Sequence, residues 1–132
     1  MTKRHSPVGQ LVDVYFDLHR RNWSLRARTG PERGRLIAKD ETVLLDDVQL
    51  VVQPSGMRRV RREKRKNVHA FARGRVVAIG NQAVLAGKLT RLTYDPYQHD
   101  AFVVRSSGNV VKSAQAALLR MIKSQPKLDV RL

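Results

Sequence analysis

The sequence predicts an α+β fold: a mostly antiparallel β-sheet with a central basic helix and a C-terminal amphipathic helix. Three observations carry this expectation. Apolar and polar residues alternate through residues 11–28, on either side of a short polar turn. Residues 57–66 are rich in strong helix formers, contain no glycine or proline, and follow a Pro-Ser-Gly break. Residues 113–123 carry an apolar stripe at helical spacing. A chain of 132 residues has the length of one domain. We expect residues 1–10 to be a flexible basic tail and residues 11–132 a single ligand-binding domain.

The elements follow in order. Val12, Val14, Phe16 and Leu18 face one way, and Leu11, Asp13, Tyr15 and Asp17 the other, as in a half-buried strand. After a polar turn at residues 19–22, Trp23, Leu25 and Ala27 oppose Ser24, Arg26 and Arg28, which completes a hairpin. Gly30, Pro31 and Gly34 punctuate the next turn. Residues 35–38 start a third strand, and 43–45 and 48–53 read as two short strands split by Asp46 and Asp47. Beyond the helix over 57–66, strand character spans residues 68–79, with another strand over 88–93. Tyr94-Asp95-Pro96-Tyr97 is a turn signal, and residues 106–109 join the arms of a further hairpin. Ser113 is placed to cap a last helix. Ala114, Ala117, Leu118, Met121 and Ile122 form its apolar stripe, and Pro126 ends it.

Charge narrows the function classes. Twenty-six Lys and Arg against eleven Asp and Glu leave a formal net charge of +15, a field that attracts polyanions. The absence of cysteine excludes disulfides, thiolate metal sites and thiol catalysis. No apolar run approaches the roughly 20 residues that cross a bilayer. No hydrophobic signal core follows the basic N-terminus, so cytosolic residence is expected. His5, His19, His69 and His99 lie in separate segments, without metal-site spacing. Glycine-rich phosphate loops, nucleophile elbows and magnesium-binding acidic clusters are all lacking. These features together predict a non-enzymatic protein with no cofactor or metal and no membrane role.

Three segments hold candidate binding residues. Residues 58–66 contain seven basic side chains and the single acid Glu63. On a helix, Arg58, Arg61, Arg62 and Arg65 line one side, and guanidinium groups suit two-pronged phosphate recognition. The plainer alternative is a solvated helix face. Next, Asn67, His69, Phe71 and Arg73 alternate with the apolar Val68, Ala70 and Ala72. On a strand the first set presents an amide, an imidazole, a ring and a cation, groups that suit a nucleotide. Alternatively, Phe71 covers core and His69 is an ordinary surface histidine. Finally, residues 94–102 gather Tyr94, Asp95, Tyr97, His99, Asp100 and Phe102. This loop either recognises sugar hydroxyls and bases or forms a corner whose Tyr94 and Phe102 plug the core.

Residues 14–20, followed by Trp23-Ser24-Leu25-Arg26, resemble the opening of a group of small phage-encoded proteins. The blocks over 60–71 and 94–103 resemble the same group in the same order. The group is the first-described family of phage anti-Thoeris sponges, whose members bind cyclic ADP-ribose isomers and in some cases cyclic oligonucleotides. The resemblance implies an oligomer that sequesters a cyclic nucleotide immune signal without cleaving it, in the host cytoplasm, with sites near subunit interfaces. In that reading Arg58, Arg61, Arg62 and Arg65 hold phosphates, Phe71 or Tyr97 stacks on the base, and Asn67 reads its edge. His69, Tyr94 and Asp95 complete the site. Asp95 stands where the family pattern has asparagine, and its carboxylate would weaken anion binding. The C-terminal apolar stripe is the candidate subunit contact, or equally the cover for the sheet of its own chain. The alternative function is a DNA- or RNA-binding protein; an adaptor that inhibits an acidic host protein is a third class.

Overall fold

The computed structural model describes residues 6–17 and 20–132. Residues 1–5 of the expected tail, together with Leu18 and His19, lie outside these. Nine strands form one antiparallel sheet: β1 (Leu11–Asp17), β2 (Asn22–Ala27), β3 (Leu36–Asp40), β4 (Val43–Val52), β5 (Ala70–Ile79), β6 (Thr90–Thr93), β7 (Val103–Val104), β8 (Ser113–Ile122) and β9 (Gln125–Arg131). Their order across the sheet is β3-β2-β1-β5-β4-β8-β9-β6-β7. The helix α1 (Pro54–Glu63) is inserted between β4 and β5. The N-terminal hairpin forms as the alternation predicts, with Val14 opposite Leu25 and Phe16 opposite Trp23.

One hydrophobic core draws on strands far apart in the sheet order. Val12, Val14, Trp23 and Leu25 from one side meet Leu92, Phe102, Leu119, Leu128 and Val130 from the other. Among the described residues no second layer covers the inner face, so the sheet curls until that face closes on itself. Ser6–Gln10, within the expected tail, turns back on the sheet: the Gly9 amide donates to the Val76 carbonyl and the Val76 amide to Gln10. Asp46 and Asp47, read as a break between two strands, form a bulge inside the single strand β4, where the register shifts and Asp47 takes φ 54°. Gly74 makes room for that bulge, because a Cβ there would stand 2.8 Å from the Asp46 carbonyl oxygen.

The expected C-terminal helix is absent: residues 113–122 are the strand β8, and 125–131 return as β9. The reason is burial on both faces. Ala117 and Leu119 enter the main core, while Leu118 packs with Leu44, Ala78 and Ala83 in a smaller cluster on the other side. A strand covered on both sides reads as a continuous apolar run, which periodicity alone cannot distinguish from a helix. Lys123 and Ser124, at φ 50° and 64°, make the two-residue turn. Pro126 does not end a helix; it lies opposite Met121 in β9. β8 lies inside the sheet between β4 and β9.

The central helix is where the sequence places it but ends earlier, at Glu63. Lys64 adopts a left-handed conformation (φ 58°), and its amide caps the helix on the Val60 carbonyl. Arg65 and Lys66 are thereby outside it. α1 and the segment after it form the long loop of the β4–β5 hairpin, closed at its base by the Gln53 amide on the His69 carbonyl at 2.7 Å.

The least exposed carboxylate is Asp129, 4 % exposed on β9. Arg91 binds it through two nitrogens at 2.8 and 3.0 Å, and Arg120 through one at 2.7 Å. Burial works to raise its pKa, but the two guanidiniums outweigh this and hold it below the ordinary 3.8. Its stabilising contribution is complete above that value and is lost as pH falls through the depressed pKa. Asp129→Ala leaves two arginines facing each other. We expect it to lower the unfolding free energy by about 2–3 kcal/mol in a urea titration, below the cost of a fully buried pair because both arginines reach water.

Candidate functional site

A cleft of about 750 Å³, lined by four aromatic rings, lies at the end of β1. Three segments build it: the end of β1 (Tyr15, Phe16, Asp17), the approach to β5 (Lys66, Asn67, Val68, His69, Ala70), and the loop after β6 (Tyr94, Asp95, Pro96, Tyr97), with Val60 of α1 at the side. The β1–β5 pairing, which sets Val14 opposite Ala72, brings the first two together. Arg61 holds the third. Its guanidinium donates to the carbonyls of Pro96 and His99, the latter at 3.1 Å, and to Asp100 at 3.0 Å. Within the loop, Asp95 accepts from the Tyr97 amide at 2.9 Å, and the Asp95 amide donates to His99 Nδ1 at 3.0 Å. These bonds make Asp95 a turn-forming residue whose carboxylate borders the cleft.

His69 joins the segments. It is 5 % exposed, while Val68 is 56 % exposed, so the facing expected from simple alternation is reversed at the start of β5. Its Nδ1 lies 2.8 Å from Asn67 Oδ1, and its Nε2 lies 2.7 Å from the Tyr94 hydroxyl. Asn67 Nδ2 donates to the Gly56 carbonyl at 3.3 Å, which turns its Oδ1 toward the ring. The partners thus assign the tautomer: Nδ1–H donates to Asn67, and Nε2 accepts from Tyr94. A chain of hydrogen bonds runs from the first turn of α1 to the loop after β6. The Tyr94 ring also meets His69 edge-on at 5.5 Å and packs on Phe102 at 5.4 Å. Burial pushes the Tyr94 hydroxyl up to about 12, with Arg61 opposing, so it stays a donor at neutral pH.

Five of the ten residues singled out from the sequence line this cleft: Asn67, His69, Tyr94, Asp95 and Tyr97. The other five do not. Phe71 is buried, 7 % exposed, with Arg73 over its ring at 5.5 Å. Arg58 and Arg62 are exposed on α1, Arg65 is exposed beyond its end, and Arg61 is the loop clamp. The four arginines therefore form no single row. Sequence reasoning missed Tyr15, Phe16 and Asp17 as cleft residues. Their alternation marked a strand, and no local signal told which remote segments would lie beside its end. A second cleft, of about 600 Å³, carries no aromatic ring, and its Arg73 is already held by Asp13 at 2.8 Å.

Residues 5–125 match the family described as Mycobacterium phage L5 gene 82 protein. The chain belongs to that family. The Gene 82 protein of Mycobacterium phage L5 is 38 % identical over 104 residues, covering 74 % of this chain and 80 % of that protein. No solved structure matches the chain. The family bears out the phage origin expected from the sequence; the ligand is a separate question. Among the described residues no helix is long and apolar enough to cross a membrane.

Two outcomes test the His69 chain. A Cβ at Gly56 would stand 2.4 Å from the His69 Cβ. Gly56→Ala should therefore destabilise by about 1–3 kcal/mol through overpacking, although alanine favours a helix interior by about 1 kcal/mol; chemical denaturation reads the sign. Burial lowers the His69 pKa below 6.5, against a smaller upward effect of its bond to the Asn67 backbone. The unfolded chain then takes up the proton first as pH falls. The contribution of neutral His69 is complete above 6.5 and declines below it toward the depressed value. The urea midpoint should fall over that interval, and His69→Gln should remove this part of the pH dependence.

Proposed function

We propose that the cleft binds a nucleotide and that the protein acts by sequestration, without turnover. The observation that carries this reading is the grouping of Tyr15, Phe16, Tyr94 and Tyr97 with the carboxylates of Asp17 and Asp95 in one cleft, with Lys66 on its lining. Rings take the planar base, carboxylates accept from ribose hydroxyls, and the lysine meets phosphate. Binding is favoured over catalysis because the one histidine lining the cleft has both ring nitrogens engaged, by Asn67 and Tyr94. A general base needs a nitrogen within reach of the substrate proton.

The finer reading is an anti-defence sponge. The resemblance to anti-Thoeris sponges supports a cyclic nucleotide immune signal, a cyclic ADP-ribose isomer or cyclic oligonucleotide, held by a homo-oligomer in the host cytoplasm. Calorimetric titration with a cyclic ADP-ribose isomer, near physiological salt, tests it. We expect saturable binding at fixed stoichiometry and unaltered ligand after denaturation. Tyr97→Ala should weaken binding by about 5- to 100-fold, the worth of one stacked ring. Recovery of chemically altered ligand overturns sequestration, and absence of heat overturns the cyclic signal.

A further inference from the structure

Lys66, which lines the cleft, is the last of the seven basic residues in 58–66. Of the seven, three are engaged within the protein: Arg61 on the 94–100 loop, and Arg59 and Arg62 on Glu63 at 3.0 and 3.9 Å. Arg58, Arg62, Lys64, Arg65 and Lys66 are all exposed. Two of them adjoin the cleft: Lys66 lines it, and Lys64 Nζ lies 5.2 Å from the ring centre of Tyr97, which is itself half exposed. Inside, the sign reverses. Asp95 borders the aromatic walls, and its carboxylate disfavours phosphate there, while Asp17 on the same lining is paired with Lys39 at 3.5 Å. The arrangement therefore suits a ligand that puts an uncharged base and its sugar inward while a row of phosphates stays outside.

We infer that the cleft and the cationic segment 58–66 form one seat for single-stranded nucleic acid, with a base stacked in the cleft and the backbone crossing the exposed arginines and lysines. This rests on the reading that the cleft holds a base. A single strand presents bases without prior unpairing, whereas a duplex must first expel one at a cost. The charge explains the backbone contact, and the rings explain the preference for unpaired bases.

Fluorescence anisotropy on the full chain tests the inference, using a labelled 12-nucleotide single strand as RNA and as DNA, the matching duplexes, and AMP as competitor. Either single strand should bind at least about 10-fold more tightly than its duplex. A log–log salt slope of about −2 or steeper is expected, since each phosphate contact on a single strand contributes about −0.7. Arg62→Ala and Arg65→Ala, both at exposed positions, should each make the slope shallower by about 0.7. Tyr97→Ala should weaken the single strand by about 5- to 100-fold and leave the slope unchanged. Equal or tighter duplex binding overturns the inference, as does a slope no steeper than that of AMP. If AMP binding is lost in Tyr97→Ala while strands bind no better than AMP, the base-binding cleft stands and the extended seat falls. If Tyr97→Ala changes neither ligand, both fall.

Discussion

A sheet has two faces, and the way this chain buries the inner one governs the rest of its structure. Among the described residues no second layer covers that face, so the sheet curls until its own strands face each other across the core. Curling requires local relief. The bulge at Asp46 and Asp47 supplies it on β4, and Gly74 on β5 lets the bulged backbone approach. Charged residues tie the closed sheet from outside its core: Arg73 and Arg28 meet Asp13 on one side, and Arg91 and Arg120 meet Asp129 on the other.

The cleft lies between the end of β1, the approach to β5 and the loop after β6, with Val60 of α1 at its side. α1 grows from the β4–β5 hairpin, and its Gly56 sits directly on His69. That contact leaves His69 buried, and a buried imidazole must satisfy both nitrogens. It does so with Asn67 on its own segment and Tyr94 on a remote one. The same bonds that satisfy the histidine thus fix the cleft walls. Arg61 adds a second tie between α1 and the 94–100 loop. The walls are accordingly set before any ligand arrives, which reduces the ordering cost of binding.

The distribution of charge explains why the arginine-rich segment, the strongest feature of the sequence, is not one uniform surface. Helix geometry separates Arg61 from Arg58 and Arg62, and the left-handed cap at Lys64 removes Arg65 from the helix. One arginine becomes structural, two pair with Glu63, and Arg58 and Arg65 remain exposed to solvent. Sequence spacing alone treats all of them alike, because the partners of Arg61 at Pro96, His99 and Asp100 are more than thirty residues away.

Local patterns were enough to determine the antiparallel class, the hairpin of residues 11–28, the position of the central helix and the turn at residues 94–97. Each depends on neighbours a few residues apart, through side-chain alternation, helix-forming composition or the fixed φ of proline. The basic character and the absence of thiol chemistry are likewise composition. Tertiary structure alone decided that residues 113–122 are a strand, since covering both faces removes the alternation that would reveal one. It also decided which candidate residues meet: Asn67, His69, Tyr94, Asp95 and Tyr97 converge with Tyr15, Phe16 and Asp17, while Phe71 turns into the protein. Convergence depends on strand order and register across the whole chain, and a local sequence pattern carries no record of which distant strand lies beside it.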